Sequence, residues 1–507
     1  MIPRRLVAVG LALASAGLPS CATTSPAPTV SAPGPAAAPP PLTPDTPTDS
    51  LQADLDQIFG APALAGALVA VRVDSLRNGE TLYARHNTLR VVPASTLKIL
   101  TAAVAARRLG WDHRFETRLE MAGSVKDGVL HGDLTVVGGG DPAIAAQDLR
   151  EAPVFGEWAE ALRRAGITRI DGRVIGDDTA FDDEPLGAGW AWDYLSAGYA
   201  APSGALSYNE NVVVVRVSPG PAVGDAALVQ IGPPGHGLEP DVQVVTGPAG
   251  SAATLAVTRA PGRTSVLIRG RVPVGGAPVI RTTTIDNPTR FFIEGFRLAL
   301  ARRGILVRDG AWDIDDITDA GRPPARQTVA RHLSAPLSSL VGYAMKVSQN
   351  YYGEMLLKAV GRGADTPGST ERGRAAVREV LGEWNISTDT LVLYDGSGLS
   401  RYNYVSADLM NEVLLRVWRD EGLRGPFVAA LPVGGHDGTL EARMRNSRLD
   451  RRVQAKTGTI SNVRSLAGYL ERESGEKLAF TMIANHFVAP NAEIDAVMEL
   501  ALERLLR

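Results

Sequence analysis

The chain has 507 residues, 45% of them apolar; a single core stops growing at roughly 250–300 residues, so more than one core is expected. Its 52 basic and 55 acidic residues leave a formal net charge of -3, which offers no overall field for nucleic acid and gives polyanion binding no compositional support. One cysteine excludes an intramolecular disulfide, and only six residues are lysine, so a lysine inside a motif carries unusual weight.

The chain opens with Arg4 and Arg5, an apolar run from Leu6 to about Leu18, and then Pro19-Ser20-Cys21. This is the organisation of a secretory signal, and the run is too short to span a bilayer comfortably. Residues 1–21 are read as that signal, which places the protein outside the cytoplasm, in the periplasm or cell envelope. The segment ending at Cys21 resembles the lipobox of bacterial lipoproteins, with Pro19 an unusual occupant. Lipidation of Cys21, and loss of the cysteine on ordinary cleavage, both stay open. Residues 22–49 are nearly all Ala, Pro, Thr, Ser and Gly, a composition that cannot bury enough apolar surface to fold and extends as a tether.

Folding is expected from Ser50, where Leu51, Leu55 and Ile58 fall at helical spacing. Ala67–Asp74 and Glu80–His86 read as strands joined by a turn at Asn78-Gly79. From Ser95 a run of helix formers continues to Gly110. Pro93 favours an extended approach, which puts Ser95 at or near a helix N-terminus. Between about 115 and 285, short Val- and Ile-rich runs broken by Gly and Pro predict β-rich modules, with strands at Gly132–Val137, Arg173–Gly176, Asn211–Val217 and Thr264–Val272. Helices are expected at Arg290–Arg303 and Ser348–Val360. Strands follow at Val453–Ile460, Ser465–Glu471 and Leu478–Asn485, with a turn at Gly475 and a last helix from Asn491.

Three short elements carry chemistry: Ser95-Thr96-Leu97-Lys98, Ser348-Gln349-Asn350 and Lys456-Thr457-Gly458-Thr459. Positions three apart share a helix face, so Lys98 can reach the Ser95 hydroxyl and supply a nucleophile with an adjacent base. In an extended approach to a helix, Ser348 and Asn350 point the same way. Lys456 and Gly458 do likewise on a strand, where Gly458 leaves room for a substrate backbone. Each signal is weak alone, since Ser474-Gly475-Glu476-Lys477 fits the first pattern too, in a hairpin turn without apolar surroundings. The ordered trio is what penicillin-binding proteins and serine β-lactamases share. The seven histidines show no metal-binding spacing, so no metal is expected. The Gly138–Asp141 loop lacks a following Gly-Lys-Ser and reads as a structural turn. Asp182, Asp183 and Glu184 read as a solvated loop, and Trp190 and Trp192 as core packing in preference to sugar stacking.

Further motifs accompany the trio: Gly132-Asp133-Leu134 with Gly138-Gly139-Gly140-Asp141-Pro142, Asp171-Gly172 with Gly176-Asp177, Asp395-Gly396-Ser397-Gly398-Leu399-Ser400-Arg401, and Leu431-Pro432-Val433 with Asp437-Gly438-Thr439-Leu440. In this set and its order, the chain resembles the class C low-molecular-mass penicillin-binding proteins, the D-Ala-D-Ala carboxypeptidase/endopeptidase family (peptidase S13), over roughly residues 50–507. The roughly 250 residues between Lys98 and Ser348 match the extra domains that this family inserts there.

The resemblance implies an α+β fold: a serine penicillin-recognising (β-lactamase/transpeptidase-like) domain from residues 50–115 and 285–507, an antiparallel sheet flanked by helices, with inserted β-rich modules over 116–284. It implies that Ser95 is acylated, that Lys98 is its base, that Ser348 relays a proton to the leaving amine, and that Asn350 holds the peptide amide. Lys456 would bind the terminal carboxylate and favour a neutral Lys98, with Thr457, Gly458 and Thr459 lining the same strand, while Ser95 and Thr459 N–H groups form an oxyanion hole. Arg401 would meet a side-chain carboxylate of the stem peptide. Peptidoglycan stem peptides and β-lactams are the implied partners, and no cofactor is needed. A β-lactamase or esterase on the same fold, and a non-catalytic wall-binding lipoprotein, are the rival readings.

Overall fold

A computed structural model describes residues 48–317 and 325–507. The signal segment, Cys21 and nearly all of the tether lie outside the described residues. Helix α1 (Thr48–Phe59) leads into β1 (Leu68–Ser75) and β2 (Thr81–Arg85). The far end of the chain supplies β3 (Val453–Ile460), β4 (Val463–Glu471) and β5 (Lys477–Asn485). These five form one sheet in the order β3-β4-β5-β1-β2, every pair antiparallel. The two ends of the chain are thus stitched together by the β1–β5 ladder, Leu68 opposite Asn485 and Ser75 opposite Leu478.

Strand side chains alternate between faces, and here both faces are covered. Val69, Val71 and Val73 with Phe480, Met482 and Ala484 pack under α1 and the last helix, Asn491–Leu505. Ala70, Ala467, Tyr469, Ala479 and Ile483 face the opposite way, onto a larger helical layer. That layer holds α2 (Lys98–Leu109), α3 (Asn350–Val360) and the helices Leu337–Lys346, Thr370–Glu383, Ala407–Arg419 and Glu421–Ala430. Helix α2 is buried almost throughout, as its alanine-rich sequence permits, and stops at Gly110, whose φ of 82° suits a residue without Cβ.

Between α2 and the helical layer the chain forms a second body. Strands Glu116–Lys126 and Val129–Val137 pair as a hairpin within a seven-stranded sheet, and two three-stranded sheets follow. The segment contains a helix, Pro153–Arg164, that the β-rich reading did not foresee. Its Phe155 and Trp158 pack with Phe292 and Phe296 of the helix Pro288–Arg302. Strand Gln327–Leu333 then pairs with Glu116–Lys126. Residues 288–317 and 325–333 bury apolar side chains against this second body, and Leu337 is the first residue of the helix that joins the large helical layer.

Candidate active site

Ser95 sits in a short 3-10 turn, Ala94–Leu97, that runs directly into α2. Ala94 before it is left-handed, with φ 48°, a conformation costing on the order of 1–3 kcal/mol without glycine and held only by over-determined surroundings. Those surroundings are visible. Ser465 Oγ donates to Pro93 O at 2.7 Å, and Thr96 Oγ1 donates to the same carbonyl at 2.7 Å. Gly458 lies against this turn: a Cβ there would come within 2.1 Å of Ser465 Oγ, 2.8 Å of Pro93 O and 3.0 Å of Ser95 N. The space that the sequence reading assigned to a substrate backbone is filled by the turn bearing Ser95.

Lys98 Nζ lies 2.9 Å from Ser95 Oγ, 2.7 Å from Asn350 Oδ1 and 2.8 Å from Ser397 O. The amide and carbonyl oxygens can take the two N–H bonds of a neutral amine, which leaves its lone pair for the Ser95 proton. Burial lowers the Lys98 pKa to about 7, against the opposing pull of Asp395 and Glu354. Lys456 Nζ donates to Ser348 Oγ at 2.8 Å and Thr457 O at 2.7 Å. Its burial, and then the charge of Lys98, hold it well below the usual lysine value. Lys346, Lys358 and Lys477 each pair with a carboxylate. Among the described residues, Lys98 and Lys456 instead bond only neutral oxygens, which fits their shift towards the uncharged amine.

Ser348 is not extended as expected but left-handed, with φ 62°. The turn therefore sends Ser348 to Lys456 and Asn350 to Lys98, so the two side chains serve different lysines. Asn350 Nδ2 also donates to Tyr199 O at 2.9 Å.

Strand β3 is the edge of its sheet. Ile460 and Val463 close the hairpin around Ser461-Asn462. Hydrogen-bonded and non-bonded pairs alternate from there, so Thr457 and Thr459 turn their main-chain groups away from β4. Residues of the same parity confirm the sense: Ala455 N donates to Pro432 O, and Val453 O accepts from Gly434 N, on that outer edge. Thr457 Oγ1 donates to Thr439 Oγ1 at 2.7 Å, and the Arg464 guanidinium holds the Thr459 hydroxyl. Ser95, Ser348, Asn350, Thr459, Ser461, Tyr194 and Tyr199 line a cleft of about 480 Å³. Arg401 stands at its lip, donating to Ser461 O at 2.8 Å.

The D-Ala-D-Ala carboxypeptidase 3 (S13) family matches residues 51–504. The chain belongs to this family. It is similar to the D-alanyl-D-alanine carboxypeptidase of Actinomadura sp. (strain R39), 36% identical over 87% of this chain and 82% of that protein. It is 28% identical to the Haemophilus influenzae D-alanyl-D-alanine carboxypeptidase DacB over 80% and 82% of the two chains. The crystal structure of penicillin binding protein 4 (dacB) from Haemophilus influenzae superposes with a TM-score of 0.76 at 25% identity, covering 90% of this chain and 99% of that one. The α+β penicillin-recognising fold is thus the fold of this S13 protein.

Several residues that shape the S13 cleft carry no role in the sequence analysis, and Glu354 is not singled out there at all. Glu354 on α3 is buried, and its carboxylate accepts from Gly396 N at 3.0 Å and Ser397 N at 2.9 Å. Burial and the charge of Asp395 hold it above the ordinary carboxylate range. It thereby fixes the loop whose Ser397 carbonyl meets Lys98. Asp395, fully buried, accepts from Gly398 N, Ser400 N, Asn403 Nδ2 and Trp190 Nε1. Trp190 is accordingly an anchor of that loop, whereas Trp192 is exposed rather than packed. Asp182 is also no solvated acid: it accepts from the buried Lys358 at 2.6 Å. The second Ser-x-x-Lys copy lies at a hairpin turn, where Lys477 pairs with Glu471.

Proposed function

We propose that Ser95 is the acylated nucleophile of this S13 protein, a serine-type D-Ala-D-Ala carboxypeptidase, and that Lys98 is its general base. The observation that carries this reading is the 2.9 Å approach of a buried lysine, shifted towards neutrality, to the Ser95 hydroxyl. Lys98 takes the Ser95 proton as Oγ attacks the carbonyl of the penultimate D-Ala. The developing oxyanion is met by the N–H groups of Ser95 and Thr459, the latter aimed off the free edge of β3. Ser348, bonded to Lys456, returns a proton to the departing amine, and Asn350 orients the peptide amide. Lys456, with Thr457 and Gly458 beside it, receives the terminal carboxylate, whose charge restores the favoured ammonium form. Water then resolves the acyl-enzyme, and β-lactams trap it by acylating Ser95.

Arg401 at the cleft lip suits a second, side-chain carboxylate on the stem peptide. The protein works on peptidoglycan outside the cytoplasm, in the periplasm or envelope, with Cys21 the point of attachment if it is lipidated. Among the described residues no helix is long and apolar enough to cross a membrane. Digestion of purified muropeptides followed by mass spectrometry tests the reading. Loss of one alanine from pentapeptides marks carboxypeptidase action and conversion of dimers to monomers marks endopeptidase action. Muropeptides left unchanged, with penicillin turned over rapidly, would point instead to a β-lactamase.

A further inference from the structure

The Ser348–Asn350 turn is held from outside the peptidase helices. Ser348 is left-handed, with φ 62°, and a serine does not adopt that conformation unless neighbours impose it. Its own element offers little: the preceding helix ends at Lys346, and Gln349 N returns to Ala344 O at 3.0 Å. Lys456 holds the Ser348 side chain and Lys98 that of Asn350, and a further constraint, on Gln349 between them, comes from the inserted part of the chain. Gln349 Nε2 donates to Glu210 Oε2 at 2.6 Å, and Gln147 Nε2 donates to the same oxygen at 2.7 Å.

Glu210 is unusual in three respects. It is 1% exposed, yet the donors around its carboxyl are all neutral, the Gln147 and Gln349 amides and the Tyr343 phenol. It occupies the middle of three consecutive left-handed residues, Asn209, Glu210 and Asn211, each with φ 55°. Burial raises its pKa, with the Tyr343 phenol as its titratable neighbour. A buried carboxylate without a counter-ion is costly to keep, and asparagine is the residue type that best tolerates the flanking backbone. Asn209 and Asn211 hold that backbone through Val212 O, Asp148 N, Pro202 O and Ser207 Oγ.

We propose that Glu210 is a positioning residue for catalysis: its carboxylate fixes Gln349, and so keeps Ser348 on Lys456 and Asn350 on Lys98. With Tyr199 O on Asn350, the inserted body supports the turn at two points and is part of the working cleft. The inference rests on the acyl-enzyme reading above. It is tested by the rate of labelling with a fluorescent penicillin, resolved into initial binding and acylation. In Glu210→Gln the amide oxygen can still accept both N–H bonds, so acylation stays within about twofold of the unaltered protein. In Glu210→Met both bonds are lost, and acylation falls about ten- to hundredfold with initial binding unchanged, since misplacement by about 1 Å acts on the reacting geometry. Gln349→Met gives the same loss and provides the test should Glu210→Met fold poorly. The double substitution adds nothing further, because the two residues act through one contact. A Glu210→Met or Gln349→Met protein that acylates at the unaltered rate, or a Glu210→Gln protein as slow as Glu210→Met, overturns the inference alone. An unaltered protein that takes up no label overturns the acyl-enzyme reading together with it.

Discussion

At the scale of single residues, the chemistry turns on the protonation of Lys98. Its value near 7 arises because burial outweighs the pull of Asp395 and Glu354. Below that pH the amine is charged and has no lone pair for Ser95, so acylation is expected to rise with pH through about 7. Stopped-flow acylation across that range measures it, and a rate flat through pH 7 would count against Lys98 as base. Replacing Lys98 by Met is expected to slow acylation by about 10²–10⁴, the usual worth of a general base. Glu354 invites a different expectation. Glu354→Leu strands the Gly396 and Ser397 N–H groups, at about 1–3 kcal/mol each, and thermal melting should show the loss. Ser95 and Lys98 were legible from spacing on a helix. Glu354 was not, because one acid in the helical run Asn350–Val360 reads as a solvent-facing residue until tertiary packing buries it.

At the scale of elements, the cleft depends on how an edge strand meets a turn. Gly458 lets β3 lie against Pro93 and Ser95, and although the nearest atom to an added Cβ is the Ser465 hydroxyl, the next two, Pro93 O and Ser95 N, are backbone atoms that cannot swing aside. Gly458→Ala is therefore expected to keep the fold but displace the strand from the nucleophile, lowering acylation by about a hundredfold. Circular dichroism alongside labelling kinetics separates the two effects. The β4–β5 hairpin was readable because two short apolar runs flank a glycine turn at Gly475, φ 83°. The left-handed Ser348 was not, since no local preference of serine announces it, and the groups bonded to this turn, Lys456, Lys98 and Glu210, are far from it in sequence. Helix Pro153–Arg164 did carry a signal, proline at its first position and arginines at its end, which the surrounding strand-like runs obscured.

At the scale of the whole molecule, the sheet order explains why distant motifs meet. β2 and β3 are opposite edges of the sheet, and the chain after β2 crosses between them, Val92 bonding Asn485 of β5 and Pro93 O accepting from Ser465 of β4, so Ser95 comes to face Gly458 across 363 positions of sequence. The general plan was legible from the ordered trio and the long gap within it. The pairing of strand Gln327–Leu333 with Glu116–Lys126 was not, because nothing local to the strand marks its partner. Convergence on Ser95 is tested most directly by mass spectrometry after incubation with benzylpenicillin. Opening the lactam forms an Oγ–acyl bond, breaks the ring C–N bond and moves the Ser95 proton to nitrogen, so the whole inhibitor is retained. One adduct of the full inhibitor mass, mapped to the peptide containing Ser95 and absent from Ser95→Ala, is the expected result. No adduct, or one that persists in Ser95→Ala, would contradict it.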